Sequence, residues 1–197
     1  GTTACKWDVV IPFDKMWAKI KSSLKPRGAF VTTASQPLTS ALVMSNPKWF
    51  KYALVWNKMR GYGAGVAQYR PMMSFEDILF FADGKTVYNP QMRDGMPYKK
   101  INSKSDNRKI NHKFGYKPNY VSISNGTRYP LSVLDISWSP SKTLHPTQKP
   151  VALYEYLIKT YTNEGDTVLD FCFGSCTTGV ACINTGRNFI GIEKELK

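Results

Sequence analysis

The run from Gly165 to Glu193 constrains this chain more than any other. It reads Gly-Asp-Thr-Val-Leu-Asp-Phe-Cys-Phe-Gly-Ser-Cys-Thr-Thr-Gly, then a helical stretch, then Asn-Phe-Ile-Gly-Ile-Glu. Thr167 to Asp170 is a short apolar strand that ends on an acid. A turn of small residues follows. A helix over Thr177 to Asn184 is stopped by Gly186, and Asn188 to Glu193 is a second strand. Strand, turn, helix and strand form one βαβ unit, whose ligand lies beyond the carboxyl ends of the strands. Gly174 lets backbone approach that ligand closely. Ser175, Thr177 and Thr178 offer hydroxyls, and the N–H groups opening the helix attract an anion. Glu193 ends the second strand, where an acid accepts hydrogen bonds from two ribose hydroxyls.

Three nucleotide-like ligands compete for this turn. Gly174 and Gly179 have the outer spacing of a P-loop, but that motif continues with Lys and Ser/Thr, whereas Val180 and Ala181 follow here. A triphosphate is poorly served without the lysine. The G-x-G-x-x-G order of a dinucleotide fingerprint is absent. S-adenosylmethionine carries a ribose for Glu193 and an amino-acid carboxylate for the turn, with no phosphate, and the residues fit it best. A βαβ unit with no ligand is the bland alternative.

The rest of the chain supplies a scaffold of the same kind. Phe13, Met16, Trp17, Ile20 and Leu24 recur on one helical face, and Lys25-Pro26-Arg27-Gly28 ends that helix with a turn. Ala29 to Thr33, Phe50 to Trp56 and Asp77 to Ala82 read as strands, and Leu38 to Met44 as a short helix. Gly61, Gly63 and Gly65 mark a loop. Pro150 opens a helix carrying Val151, Leu153, Tyr154, Leu157 and Ile158. Strands alternating with helices predict an α/β sandwich with a mostly parallel sheet. At 197 residues the chain is long enough for one full domain with its own core. Its longest apolar runs fall far short of a membrane span.

Periodicity disappears between Tyr88 and about Thr143, apart from one short strand over Val133 to Ile136. A stretch this long is functional or disordered. It is also where basic residues gather. The chain carries a net charge of +13, and between Arg93 and Lys117 there are eight Lys or Arg against two Asp. Tyr98, Phe114 and Tyr116 lie among them. Cations bind phosphates without reading sequence, and aromatic rings stack on exposed bases. Arg93, Lys99, Lys100, Lys104, Arg108, Lys109 and Lys113 are therefore the candidate nucleic-acid contacts, the bland reading being a solvated basic loop. Cys5, Cys172, Cys176 and Cys182 lack the paired spacing of a zinc site, so no metal site is expected. Small thiols of this kind fit a reducing cytoplasm.

His145-Pro146-Thr147-Gln148-Lys149-Pro150, the Asp170–Gly179 turn and Phe189-Ile190-Gly191-Ile192-Glu193 together resemble the β-class DNA amino-methyltransferases, which methylate the exocyclic amine of adenine or cytosine. Gly1-Thr2-Thr3-Ala4-Cys5-Lys6-Trp7-Asp8 and Tyr88-Asn89-Pro90-Gln91-Met92 are similar to the phage-like adenine methylases of that family. The resemblance covers nearly the whole chain. It implies a Rossmann-like S-adenosylmethionine-dependent methyltransferase fold in a single domain. Residues 1–88 would form its catalytic-side half, 89–143 its target-recognition segment and 144–197 its cofactor half. Asp170, Gly174, Ser175, Thr177 and Thr178 would hold the methionine end of the cofactor, and Glu193 the ribose. Lys149 and Pro150 would shape the other side of the pocket. Trp7 lies near the expected base pocket.

The implied reaction is methyl transfer to adenine N6 in double-stranded DNA, with the target base flipped out of the helix, in the cytoplasm of a bacterial or phage-infected cell. A homodimer is the assembly considered. The alternatives are a catalytically inactive DNA-binding relative, a cytosine-N4 enzyme and an RNA methyltransferase. Two departures from the family stand out. Cys176 occupies a position where the family usually has Gly. The catalytic signature, a polar residue followed by Pro or Leu and then Pro and an aromatic, does not occur among the 197 residues, so no catalytic residue is assigned. It is expected just before Gly1, along with the strand that precedes it. That leaves a gap in the sheet beside Thr167–Asp170 and makes the chain a fragment of a longer methyltransferase.

Overall fold

A computed structural model describes residues 11–101, 121–138 and 147–194. The chain divides into two compact units, Gly1–Asn89 with Leu131–Lys197, and Pro90–Pro130.

The first unit is built around β3 (Met73–Phe81), the most buried strand. It lies between β1 (Phe30–Ala34) and β2 (Phe50–Tyr62), antiparallel to both. The strand β8 (Val133–Asp135) adds parallel to β2, giving the order β1-β3-β2-β8. Alternating side chains of β3 serve opposite faces, as a strand covered on both sides requires. Ile78 and Phe80 pack with Trp56, Leu134 and with Leu153, Leu157 and Tyr161 of helix α3 (Val151–Tyr161). Leu79 and Phe81 pack with Trp17 and Ile20 of α1 (Phe13–Ser23) and with Leu42 of α2 (Leu38–Ser45). Indole donors join the parts: Trp17 Nε1 donates to Ser45 Oγ at 2.8 Å, and Trp56 Nε1 to the Ile136 carbonyl at 2.8 Å.

The βαβ unit forms as the sequence predicts. Strand β9 (Thr167–Asp170) pairs in parallel with β10 (Asn188–Gly191), and α4 (Thr177–Thr185) connects them. Ala181 and Cys182 of α4 pack on Ile158 of α3, with Tyr154, Val168 and Phe189 around them. The α/β expectation holds, with parallel ladders at β9–β10 and β2–β8 and antiparallel ones flanking β3. Among the described residues β9 has a ladder only to β10, and β1 only to β3, so no ladder joins the two sheets beside Thr167–Asp170, where the sequence places a gap. Phe30 of β1 and Phe171, just after β9, stack across it with centroids 6.2 Å apart.

Two local expectations are revised. Strand β2 runs six residues beyond Trp56, because Met59 takes a left-handed conformation (φ 59°) and the ladder to β3 resumes at Tyr62 after a register shift. Gly61 thus lies in the strand. The aperiodic stretch also has regular structure. In the second unit β4 (Arg93–Asp94) pairs with β7 (Thr127–Arg128), and β5 (Tyr98–Ile101) with β6 (Val121–Ser124). These strands are two to four residues long, and those of β5 are exposed throughout. With neither face of β5 buried there is no hydrophobic alternation to read.

Candidate cofactor site

The site is assembled where β9 ends. Asp170 is its tip, and both carboxylate oxygens are engaged: Thr178 Oγ1 donates to Oδ2 at 2.5 Å and the Cys172 N–H to Oδ1 at 3.1 Å. The turn then closes on itself. The Cys176 N–H donates to the Phe173 carbonyl at 2.9 Å, and Ser175 Oγ and Thr177 Oγ1 lie 3.1 Å apart. Glu193 crosses from the end of β10 to the same turn, its Oε2 accepting from the Gly174 N–H at 2.8 Å and its Oε1 from the Lys194 N–H at 2.9 Å. Two carboxylates therefore face one small-residue turn, each oriented by backbone donors.

Helix α4 sits close because Gly179 has no side chain. A Cβ there would lie 2.6 Å from Cys176 Sγ and 3.1 Å from the Phe189 ring. Cys176 itself adopts φ 59° at the N-cap of α4. That left-handed conformation accounts for a preference for Gly at this position. Cys172 is exposed on the turn. Partial burial and the carboxylates of Asp170 and Glu193 push its thiol up to about 11, which keeps it protonated and weakly nucleophilic at neutral pH.

Two residues with no site role in the sequence, Tyr154 and Glu76, belong here. Tyr154, on α3, hydrogen-bonds Thr178, and burial together with the Asp170 carboxylate pushes its hydroxyl well above the ordinary range. It extends the chain Asp170–Thr178 into the helix layer. Glu76, on β3, pairs with Lys149 Nζ at 3.4 Å and Lys58 Nζ at 2.6 Å. Lys149 precedes Pro150, the N-cap of α3, and Trp138 Nε1 holds the peptide before it by donating to the Gln148 carbonyl at 2.6 Å. The acidic pair Glu76-Asp77 at the start of the apolar run Ile78–Phe81 was the available signal for Glu76, since strand acids beside a core seldom lack a partner.

Asp170, Gly174, Ser175, Thr177, Thr178 and Glu193 are thus brought together on one turn, and Lys149 acts electrostatically on Cys172 within it. Of the candidate nucleic-acid contacts, Arg93 lies on β4 and Lys99 and Lys100 on β5, all exposed. Arg93 Nε donates to the Tyr129 carbonyl at 3.2 Å. Arg128, not among those candidates, sits 4.7 Å over the Tyr98 ring. Trp7, Cys5, Lys104, Arg108, Lys109, Lys113, Phe114, Tyr116, His145 and Pro146 lie outside the described residues. Among the described residues no cluster of His, Cys, Asp and Glu could hold a metal ion, and no helix is long and apolar enough to cross a membrane.

The donor set suits S-adenosylmethionine. The Asp170 and Glu193 carboxylates repel phosphate yet accept from an ammonium or from ribose hydroxyls, and no lysine follows Gly179. Solved structures place the fold in a class. The M1.HpyAVI–SAM complex is 29% identical, with a TM-score of 0.62 over 92% of this chain and 75% of that one. The PvuII cytosine-N4-specific DNA methyltransferase is 17% identical, with a TM-score of 0.64 over 93% of this chain and 66% of that one, a likeness of fold alone. The class is the Rossmann-like S-adenosylmethionine-dependent methyltransferases.

The family is sharper. The N6/N4 methyltransferase family model, described as DNA methylase, matches residues 10–197. This chain belongs to the N6/N4 DNA methylase family. Type II methyltransferase M2.MboI of Moraxella bovis is 38% identical over 93 residues, 45% of this chain and 33% of that protein. DNA adenine methyltransferase YhdJ of Escherichia coli is 57% identical over 49 residues, 25% of this chain and 17% of that protein. The matched stretches span a third or less of these curated relatives.

Proposed function

We propose that the protein binds S-adenosylmethionine on the Asp170–Glu193 turn and methylates adenine N6 in double-stranded DNA. The observation that carries the cofactor reading is the pair of carboxylates, Asp170 and Glu193, fixed by backbone donors around one glycine-bearing turn. When bound, S-adenosylmethionine supplies an electrophilic methyl group on a sulfonium. Asp170 then accepts from the ammonium of its methionine end, held for that role by Thr178 and, behind it, Tyr154. Glu193, oriented by the Gly174 and Lys194 N–H groups, accepts from the ribose hydroxyls. Lys149 stands on the other side as the cation for the amino-acid carboxylate. The chain's contribution is positioning and charge complementarity, which carry most of the work in a direct group transfer. The neutral Cys172 thiol has no part as a nucleophile.

The exposed cations Arg93, Lys99 and Lys100 on β4 and β5 contact the DNA backbone, and the target base leaves the duplex to be reached. Adenine is favoured by the likeness to a protein named as a DNA adenine methyltransferase, 57% identical over the matched stretch. The test is transfer of isotope-labelled methyl groups to duplex DNA, read by nucleoside mass spectrometry. Label in N6-methyladenine is the expected result. Label in N4-methylcytosine would assign the other base. Cofactor and DNA binding with no transfer would make the protein a non-catalytic relative and overturn the reading.

A further inference from the structure

The Lys58–Glu76–Lys149 cluster lies beside the cofactor turn and is not explained by it. One carboxylate serves two ammonium groups, Lys58 at 2.6 Å and Lys149 at 3.4 Å. The side chains of Lys58, Glu76 and Lys149 are 15%, 18% and 17% exposed, so their charges are screened far less than those of a surface pair. Lys58 is fixed independently. Its ammonium lies 5.1 Å from the Trp56 ring centroid and 4.8 Å from that of Tyr62, and Trp56 is a core residue of β2 with 2% exposure. The order of rigidity runs from the sheet outward: Trp56 and Tyr62 hold Lys58, Lys58 holds one oxygen of Glu76, and the other oxygen faces Lys149. Lys149 in turn acts electrostatically on Cys172 of the turn, so the cluster is coupled to the site through Lys149.

We infer that Glu76 is a positioning residue for the methyl-donor site. It holds the Lys149 ammonium toward the turn that carries Asp170 and Cys172, with Lys58 as its clamp. Two cations share one anion, so the cluster keeps about one unit of positive charge in a half-buried place. That charge matches the carboxylate of an amino-acid-bearing cofactor and would be cancelled by a second acid. Removing Glu76 leaves Lys149 present but unaimed, and repelled by Lys58.

This inference rests on the cofactor reading above, and its test separates the two. Cofactor affinity is measured by calorimetry with S-adenosylmethionine for the wild-type chain, Glu76→Gln, Lys149→Met and the double variant. Glu76→Gln is expected to weaken binding about tenfold, equivalent to one aimed charge contact. In the Lys149→Met background the same change is expected to have less than a twofold effect, because a residue acting through Lys149 has nothing left to act through. Equal affinity for wild type and Glu76→Gln would overturn the inference. So would an undiminished Glu76→Gln effect without Lys149, which would assign Glu76 a general packing role.

The same four proteins without cofactor give a second cycle, in thermal midpoint. Non-additivity there is expected, and additivity would overturn the Glu76–Lys149 coupling. If the wild-type chain binds no S-adenosylmethionine, the proposed function falls, and this second cycle still decides whether Glu76 holds Lys149. Should Glu76→Gln fail to fold, Glu76→Asp keeps the charge, shortens the reach and enters the same two cycles.

Discussion

At the scale of single residues, the turn after β9 is set by two positions with opposite demands. Gly179 must lack a side chain, because a Cβ would meet Cys176 Sγ at 2.6 Å and the Phe189 ring at 3.1 Å. Gly179→Ala is expected to cost about 1–3 kcal/mol through overpacking, read as a lower urea midpoint. Cys176 carries the converse strain, a side chain at φ 59°. Cys176→Gly is expected to stabilise the fold by about 1 kcal/mol, since it removes the left-handed penalty. The same titration reads it, and a loss of stability would mean that the thiol packs better than its backbone suffers. Glu76 adds a pH signature. Burial alone would raise its carboxyl, but Lys149 and Lys58 together hold it below the ordinary glutamate range. A depressed acid stabilises the fold at neutral pH, and that contribution is lost as pH falls through its folded value. Glu76→Gln is therefore expected to flatten the acid limb of stability against pH, measured by urea midpoints from neutral pH downward.

At the scale of elements, α3 carries the site at one end and is tied by Asn89 at the other. Its N-terminus holds Lys149 and Pro150. At its other end Asn89 satisfies the last carbonyl groups. The Asn89 N–H donates to the Thr160 carbonyl at 2.7 Å, and Nδ2 to Thr162 at 3.0 Å and Lys159 at 3.3 Å. Helix ends need such partners. Asn89→Ala is expected to cost about 1–2 kcal/mol from the carbonyls left unpaired, with faster amide exchange in the last turn of α3. Unchanged exchange would show that other donors replace it. The legibility of elements follows the same physics. β9, α4 and β10 were readable because acid, glycines and apolar positions fall at the spacing a βαβ unit demands. α1 was readable from the stripe that buries Trp17 and Ile20. The extension of β2 was not, because a bulge at Met59 breaks the alternation. β4 to β7 were not, because exposed strands two to four residues long carry no burial pattern.

At the scale of the molecule, the cofactor unit and the basic unit divide the chemistry. The first is held by a core on both faces of β3, and it contains every described residue of the donor site. The second carries Arg93, Lys99 and Lys100 on short exposed strands, within a chain of net charge +13. Replacing Lys99 and Lys100 together by Ala is expected to weaken DNA binding alike for all sequences. It should also lower the slope of log affinity against log salt by about 1.8, two phosphate contacts' worth. An unchanged slope would place the phosphate contacts elsewhere. The candidate site was legible where chemistry dictates residue type at fixed spacing, as with Asp170, Gly174 and Glu193. Tyr154 and Glu76 reach it from α3 and β3, distant in sequence, and only the packing of the sheet against the helix reveals them.

The Asp170–Glu193 turn is the proposed seat of the methyl donor. Calorimetric titration of the chain with S-adenosylmethionine, side by side with Asp170→Asn and Glu193→Gln, tests it most directly. One site per chain is expected, with binding weakened at least tenfold in each variant, as loss of a charged acceptor predicts. No binding by the wild-type chain, or equal affinity in all three proteins, would contradict it.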